Sequence, residues 1–332
     1  MSSITILGTG SWGIALGDGL INLGHKVIMW QRNNKKILKI QRNKIHPLIS
    51  NYKVHKKINF TSNLKLSVKD ARFIVVAVPS HGVRELIRHL SDYNIHDSII
   101  VNAAKGLEQK TLLTMSQVIC EELNQDQNNV VSLYGPSHAE EVIRKIPTTL
   151  VAASLNHNYA REVQELFSSN FLRVYTNSDI LGVELGGSLK NVIAIAAGIC
   201  DGIGFGDNTK AAILTRGIAE ITRLGVAMGA RESTFAGLSG IGDLFVTCSS
   251  KYSRNRFVGE EIGKGKKIKD ILSKMVMVAE GVKTAEVVYQ LCEKYQVEMP
   301  ISKTVYDVIY NKMDPSNAVI ELMNRDLVSE QY

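Results

Sequence analysis

A chain of 332 residues that is 45% hydrophobic and 21% charged has room for roughly two globular domains and lies well outside the disordered range. Its four cysteines, Cys120, Cys200, Cys248 and Cys292, are too scattered for a C-x-x-C metal or redox pair, which fits a reducing cytoplasm. The net charge of +7 invites an anionic partner, and no His or Glu spacing resembles a metal site, so no metal is expected.

The opening stretch, 4–23, lacks a basic leading region and is interrupted by Thr5, Thr9, Ser11, Asp18 and Asn22, so it does not read as a signal peptide. Residues 4–8 instead read as a buried strand. Gly8-Thr9-Gly10-Ser11-Trp12-Gly13 follows it at once and opens a helix over 15–23. In this G-x-G-x-x-G spacing Gly8 permits the tight turn, Gly10 lets a pyrophosphate approach the backbone, and Gly13 lets helix and strand pack closely. The helix N-terminus then offers N–H groups and a positive dipole end to phosphates. A second strand, 26–30, ends at the position where an NAD-selective site carries Asp or Glu. Here stand Gln31, Arg32 and Asn33, with no carboxylate nearby. Arg32 can pair with a 2′-phosphate, which favours NADP over NAD; stacking on adenine is its alternative role.

Between Asp18 and Asp70 there is no acidic residue, while Lys26, Arg32, Lys35, Lys36, Lys39, Arg42, Lys44, Lys53, Lys56, Lys57, Lys65 and Lys69 all fall there. Nucleic acid, an anionic membrane surface or a phosphorylated ligand would be attracted to such a stretch, but a solvated face is the preferred reading. Asn33-Asn34 caps a basic helix over 35–41, with Ile37, Leu38 and Ile40 as its apolar packing. Strands at 73–78, 99–102 and 130–134 alternate with helices at 83–90 and 112–123, the pattern of parallel strands with helical crossovers. Lys105 directly follows the 99–102 strand, at the carboxyl edge where open α/β sheets bind ligands. Tyr134-Gly135-Pro136-Ser137-His138-Ala139 is a strand-to-helix turn with a serine donor, and 149–153 and 172–176 add edge strands.

After about residue 179 the chain turns helical, at 189–199, 209–228, 268–275, 282–295, 303–310 and 316–324. The longest strongly apolar run, 192–200, is far short of the ~20 residues of a membrane span. Lys190 is the lone charge between Glu184 and Asp201, amid small residues that let helices pack closely. An ammonium removed from bulk water there suits proton transfer, with a snorkelling surface lysine as the alternative. Asp243 is likewise alone between Glu232 and Lys251; it is either a helix cap or a buried carboxylate in need of a lysine partner. Ser253-Arg254-Asn255-Arg256 suits an anion such as phosphate, or else forms an exposed basic turn.

The blocks GTGSWGIAL, AAKGLE, GPSHAEEV, GVELGGSLKNVIAIAAGICDGIGFGDNTKAAILTRGIAEI, GLSGIGDLFVTC and YSRNR together resemble the bacterial NAD(P)-dependent glycerol-3-phosphate dehydrogenase family, over residues 4–327. The resemblance implies an N-terminal doubly wound α/β domain of Rossmann type, 1–180, that binds the dinucleotide, and an all-α substrate-binding and catalytic domain, 181–332. It implies that Ser11, Trp12, Arg32, Asn33, Lys105, Ala139, Arg254, Val278 and Glu280 touch NADP or NAD, besides the three glycines. It places Lys105, Gly135, Ser137, Lys190, Asp243, Ser253, Arg254 and Asn255 around glycerone phosphate, with Lys190 as proton donor and acceptor and Asn191 and Thr247 assisting. Such enzymes supply glycerol 3-phosphate to phospholipid synthesis in the cytoplasm, and a homodimer is common among them. No nucleic-acid partner is expected. Tyr134 departs from the serine that many relatives carry before Gly-Pro. Two rival readings are a β-hydroxyacid-type dehydrogenase, whose asparagine lies four residues after the lysine where this chain has Ala194, and a dinucleotide-sensing regulator using the basic stretch.

Overall fold

The computed structural model describes residues 2–43, 45–49, 52–275, 277–327 and 329–330; Lys44 of the basic stretch lies outside them. The chain divides into two compact units, Met1–Gly187 with Ser233–Asp243, and Ser188–Glu232 with Leu244–Tyr332.

The first unit is built on eight strands: β1 (Ser3–Leu7), β2 (Lys26–Trp30), β3 (Asn59–Thr61), β4 (Phe73–Val76), β5 (Ile99–Asn102), β6 (Val130–Tyr134), β7 (Thr148–Ala153) and β8 (Leu172–Asn177). They lie in the order β3-β2-β1-β4-β5-β6-β7-β8. All pairings are parallel except β6 with β7. Strands β4, β5 and β6 are buried at every residue, as expected of parallel strands covered on both faces. Alternate residues feed two cores. Ile4, Ile6, Phe73, Val75, Ile99 and Val101 pack with α1 (Ser11–Asn22) and α7 (His157–Phe167). Leu7, Ile74, Val76 and Ile100 pack with α4 (Val83–Leu90) and α5 (Met115–Leu123). The shorter helices α2 (Asn34–Asn43), α3 (Leu64–Val68) and α6 (Ala139–Val142) complete the crossovers. Strand order reverses between β1 and β4, the place at whose carboxyl side open α/β sheets bind ligands, and the glycine loop and the residues after β2, β4 and β5 leave the sheet at that edge.

Helix α2 starts one residue ahead of its expected span and buries Ile37 and Ile40; Leu38, expected to pack, is instead 55% exposed, because it falls on the lysine face. That face is solvated, as preferred above. The doubly wound plan was expected, but β3 was not, since three residues at a sheet edge carry no apolar run. Helix α7 was also unforeseen; Asn156 caps it by accepting from the N–H groups of Asn158 and Tyr159.

Helix α8 (Ile180–Ile203) begins nine residues before its expected start. It is long and apolar enough to cross a membrane, yet 94% of its apolar window is buried inside the protein, as for a core helix. After it come α9 (Asp207–Ala227), α10 (Glu232–Phe235), α11 (Asp243–Ser249), α12 (Arg254–Gly263), α13 (Ile268–Lys274), α14 (Glu280–Tyr295), α15 (Pro300–Tyr310) and α16 (Pro315–Met323). In the second unit α8 and α12 cross at backbone contact. A Cβ on Gly198 or Gly202 would stand 2.0 and 2.2 Å from the carbonyls of Arg256 and Glu260, and Gly259 and Gly263 face Ile195 and Ile199 as tightly. Two glycines four residues apart on each helix therefore bring the start of α12 beside the middle of α8. Glu220 of α9 caps α15, accepting from Ile301 N–H at 2.6 Å and from Ser302 N–H and Oγ at 3.1 and 3.0 Å. Burial pushes its carboxyl up to about 7, against the opposing pull of those hydrogen bonds.

Candidate functional site

The glycine loop leaves β1 for α1. Gly8 has φ +123°, and a Cβ there would stand 2.5 Å from the carbonyl oxygen of Ala77; one on Gly13 would stand 2.5 Å from that of Gly8. These two glycines are demanded by the fold itself. Gly10 is different: among the described residues, no atom beyond its own chain neighbours lies within 4 Å of where its Cβ would stand. It caps α1 without a side-chain acceptor, so the first-turn N–H groups of Ser11, Trp12 and Gly13 face an open approach suited to an anion. The buried Trp12 Nε1 also lacks a hydrogen-bond partner among the described residues. Open space over uncapped amides is the cradle a dinucleotide pyrophosphate requires, and this donor set fits one. Ala139 lies in the core patch with Ala15 and Val142, against the Trp12 ring, so its place is behind the loop.

Two neighbours fix the loop's shape. Gln31 Nε2 donates to Thr9 Oγ1 at 2.9 Å. His46, 2% exposed, donates from Nε2 to the Thr9 carbonyl at 2.9 Å while its Nδ1 accepts from Leu48 N–H at 3.3 Å. That pair of bonds requires the neutral ring, and burial lowers its proton affinity accordingly. No pattern in the sequence pointed to His46.

Past β2, Asn33 Oδ1 accepts from Lys35 N–H at 3.0 Å and Arg32 extends into solvent, its side chain 75% exposed. Here the sequence reading needs correction, because a carboxylate does stand beside Arg32. Glu85, in the first turn of α4, accepts from Arg32 Nη1 at 2.8 Å. The crossover from β4 folds Glu85 back over the end of β2, which no local window on residues 31–33 reveals.

Beyond β5 the backbone reaches Lys105 through Ala103 and Ala104. Lys105 Nζ donates to Asp243 Oδ2 at 2.6 Å and to the Gly135 carbonyl at 2.9 Å. Asp243 is 1% exposed, so this ion pair answers the demand of a buried carboxylate for a cation. Gly135 has φ +132° in the turn after β6, and its carbonyl also accepts from Ser137 Oγ at 3.1 Å. Lys105, Gly135, Ser137 and Asp243 thus form one cluster.

In the second unit Lys190 of α8 is 5% exposed and donates to Thr247 Oγ1 of α11 at 2.5 Å. Next to it, Asn191 Oδ1 accepts from Asn255 Nδ2 at 2.8 Å, and Asn255 Oδ1 accepts from Gly281 N–H at 2.9 Å. This chain of bonds ties α8 to the starts of α12 and α14, and with them Arg254 and Glu280. Ser253 is the N-cap of α12, its Oγ accepting from Arg256 N–H at 3.2 Å. The two arginines of the expected anion cluster separate in role. Arg256 pairs with Asp201 at 2.8 Å and Glu260 at 2.9 Å, whereas Arg254 is exposed at the first position of the helix. Val278 is half-buried just before α14.

The model of the NAD-dependent glycerol-3-phosphate dehydrogenase N-terminus matches residues 3–160, and that of the C-terminus matches 179–320. A glycerol-3-phosphate dehydrogenase [NAD(P)+] of Thermoanaerobacter sp. (strain X514) is 48% identical over 329 residues, covering 99% of each chain. One from Clostridium botulinum (strain Alaska E43 / Type E3) is 47% identical over 333 residues and covers 100% of both. The crystal structure of glycerol-3-phosphate dehydrogenase from Coxiella burnetii superposes with a TM-score of 0.93 at 34% identity, covering 98% of this chain and 99% of that one. The chain belongs to the NAD-dependent glycerol-3-phosphate dehydrogenase family.

Proposed function

We infer that the protein interconverts glycerone phosphate and sn-glycerol 3-phosphate with NAD(P)H and NAD(P)+, supplying phospholipid synthesis. The observation that carries this reading is the buried Lys190 ammonium, held by Thr247 Oγ1 at 2.5 Å, next to the Asn191–Asn255 bond that brings the start of α12 to α8. When bound, the nicotinamide supplies or accepts a hydride at the substrate's central carbon. The chain's own residues do the rest. Lys190 Nζ gives a proton to the oxygen on which negative charge grows, and takes it back in the reverse direction.

Arg254, the Ser253 hydroxyl and the second Nδ2 hydrogen of Asn255 hold the phosphate, since Asn255 spends its other amide groups on Asn191 and Gly281. Binding energy from that remote phosphate orients the carbonyl. Lys105, with its charge matched by Asp243, and Gly135 and Ser137 complete the substrate's surroundings. Ser11, Trp12, Arg32, Asn33, Lys105, Ala139, Arg254, Val278 and Glu280 serve the dinucleotide; residues 1–180 supply most of this set and 181–332 supply the proton-transferring lysine. A cytoplasmic homodimer is the expected form, and analytical ultracentrifugation reads the oligomeric state.

The direct test mixes the protein with glycerone phosphate and NADPH or NADH and follows the reduced-nicotinamide absorbance. Loss of absorbance is expected; none with either cofactor would sink the assignment. Lys190→Ala should lower turnover by about 10²–10⁴ with dinucleotide affinity nearly unchanged. A variant with ordinary turnover would remove Lys190 from the chemistry.

A further inference from the structure

Tyr134 ends β6 with no solvent exposure. Its hydroxyl donates to the carbonyl of Ala104 at 2.5 Å and accepts from Asn102 Nδ2 at 3.2 Å. Asn102 Oδ1 in turn accepts from Ala104 N–H at 3.0 Å. Both backbone polar groups of Ala104, the residue immediately before Lys105, are therefore held by side chains.

The Asn102 amide is itself anchored. It donates at 2.7 Å to Glu184 Oε1, a fully buried carboxylate that also accepts from Ser132 Oγ at 2.7 Å and from Ser116 N–H and Oγ at 3.0 and 2.6 Å. The other end of Tyr134 matters as well. Its ring centroid lies 5.6 Å from Lys105 Nζ, within the range of a cation–π contact. The ring also fills the space left by Gly187, where a Cβ would stand 2.5 Å from Tyr134 Cδ2. A hydroxyl that pins the backbone before Lys105 and a ring that underlies its ammonium act on one side chain from two directions.

We propose that Tyr134 is a positioning residue for Lys105, setting where the ammonium stands between Asp243 and the substrate. The proposal rests on the reading of Lys105 as a substrate-binding group. Tyr134 has no solvent exposure, so an effect on turnover passes through a neighbour, here Lys105, and that separates it from a residue that only stabilises the sheet. Tyr134→Phe removes the tie to Ala104 and keeps the ring. It should lower kcat/KM for glycerone phosphate by about 2- to 10-fold, the worth of one hydrogen bond. Tyr134→Leu also removes the ring and should lose more.

The deciding measurement is a double-mutant cycle with Lys105→Ala, using kcat/KM for glycerone phosphate on the full-length enzyme. If Tyr134 works through Lys105, Tyr134→Phe costs little or nothing further once Lys105 is gone. A Tyr134→Phe loss of the same size in both backgrounds would overturn the positioning role while leaving Lys105 in the site. An unaltered kcat/KM in Lys105→Ala alone would instead overturn the reading of Lys105, and the proposal with it. Should Tyr134→Leu fail to fold, the Tyr134→Phe cycle decides by itself.

Discussion

Arg32 and Glu85 meet beyond the end of β2, where we propose that the adenosine ribose of a bound dinucleotide lies, and on that reading they pull cofactor choice in opposite directions. The guanidinium offers a planar fork to a 2′-phosphate, while the carboxylate occupies part of that fork and repels the same phosphate. Both side chains are well exposed, at 75% and 61%, so the pair is weak and screened by salt. Glu85→Gln should therefore raise the NADPH-to-NADH ratio of kcat/KM by about 2- to 5-fold, the span of an exposed ion pair. Arg32→Asp should turn the ratio toward NADH. Steady-state assays with both cofactors decide this; an unchanged ratio in Glu85→Gln would take that carboxylate out of cofactor selection. The sequence made Arg32 conspicuous because it follows a strand end, but Glu85 is 53 positions away and looked like any surface residue of an amphipathic helix. The opposite case is Asp243. An isolated carboxylate in apolar surroundings announces its need for a cation, and Lys105, isolated in the same way, supplies it across 138 positions.

At the scale of elements, buried strands and long helices were legible because their apolar periods are strong. Strand β2 and helix α4 were found with their observed limits, 26–30 and 83–90. What escaped were short or polar elements whose order comes from neighbours, such as β3 at the sheet edge and α12, whose first residues read as an anion site or an exposed basic turn. The crossing of α12 on α8 depends on glycines of both helices meeting, and neither set has meaning alone.

Helix α15 shows a related dependence with a pH signature. Its first N–H groups rest on Glu220, whose carboxyl titrates near 7 when folded and near the ordinary 4.5 when not. Between those values the folded protein keeps a proton that the unfolded chain releases, so stability falls as pH rises through this window. Glu220→Gln has no proton to lose. Thermal midpoints measured from pH 4.5 to 7 should decline more steeply for the wild type than for the variant. Parallel curves would mean that Glu220 titrates elsewhere.

For the whole molecule, the order of the halves was readable from the change in period near residue 179, but the interleaving of the chain was not. The first unit takes back Ser233–Asp243 after the second has begun. That returning segment is no ornament. Thr234 Oγ1 donates to Asp179 at 2.6 Å, Ser239 closes on Gly186, and Asp243 is the partner of Lys105. Local periodicity cannot report this, because it describes which face of a segment is buried and not against what. A fragment ending at Gly187 should accordingly melt at a lower temperature and less cooperatively than the full chain, and adding a peptide of Ser233–Asp243 should recover part of the loss. A fragment as stable as the whole would show the returning segment to be dispensable.

The same interleaving bears on synthesis. As the chain leaves the ribosome, the sheet can assemble once β8 has emerged, but the socket that takes Asp243 must wait for more than fifty further residues. Lys105 spends that interval without its counter-charge. The order of synthesis thus completes the nucleotide-binding sheet well before the buried ion pair beside it can close, so the last charge to be balanced in the first unit is one that the second half of the chain delivers.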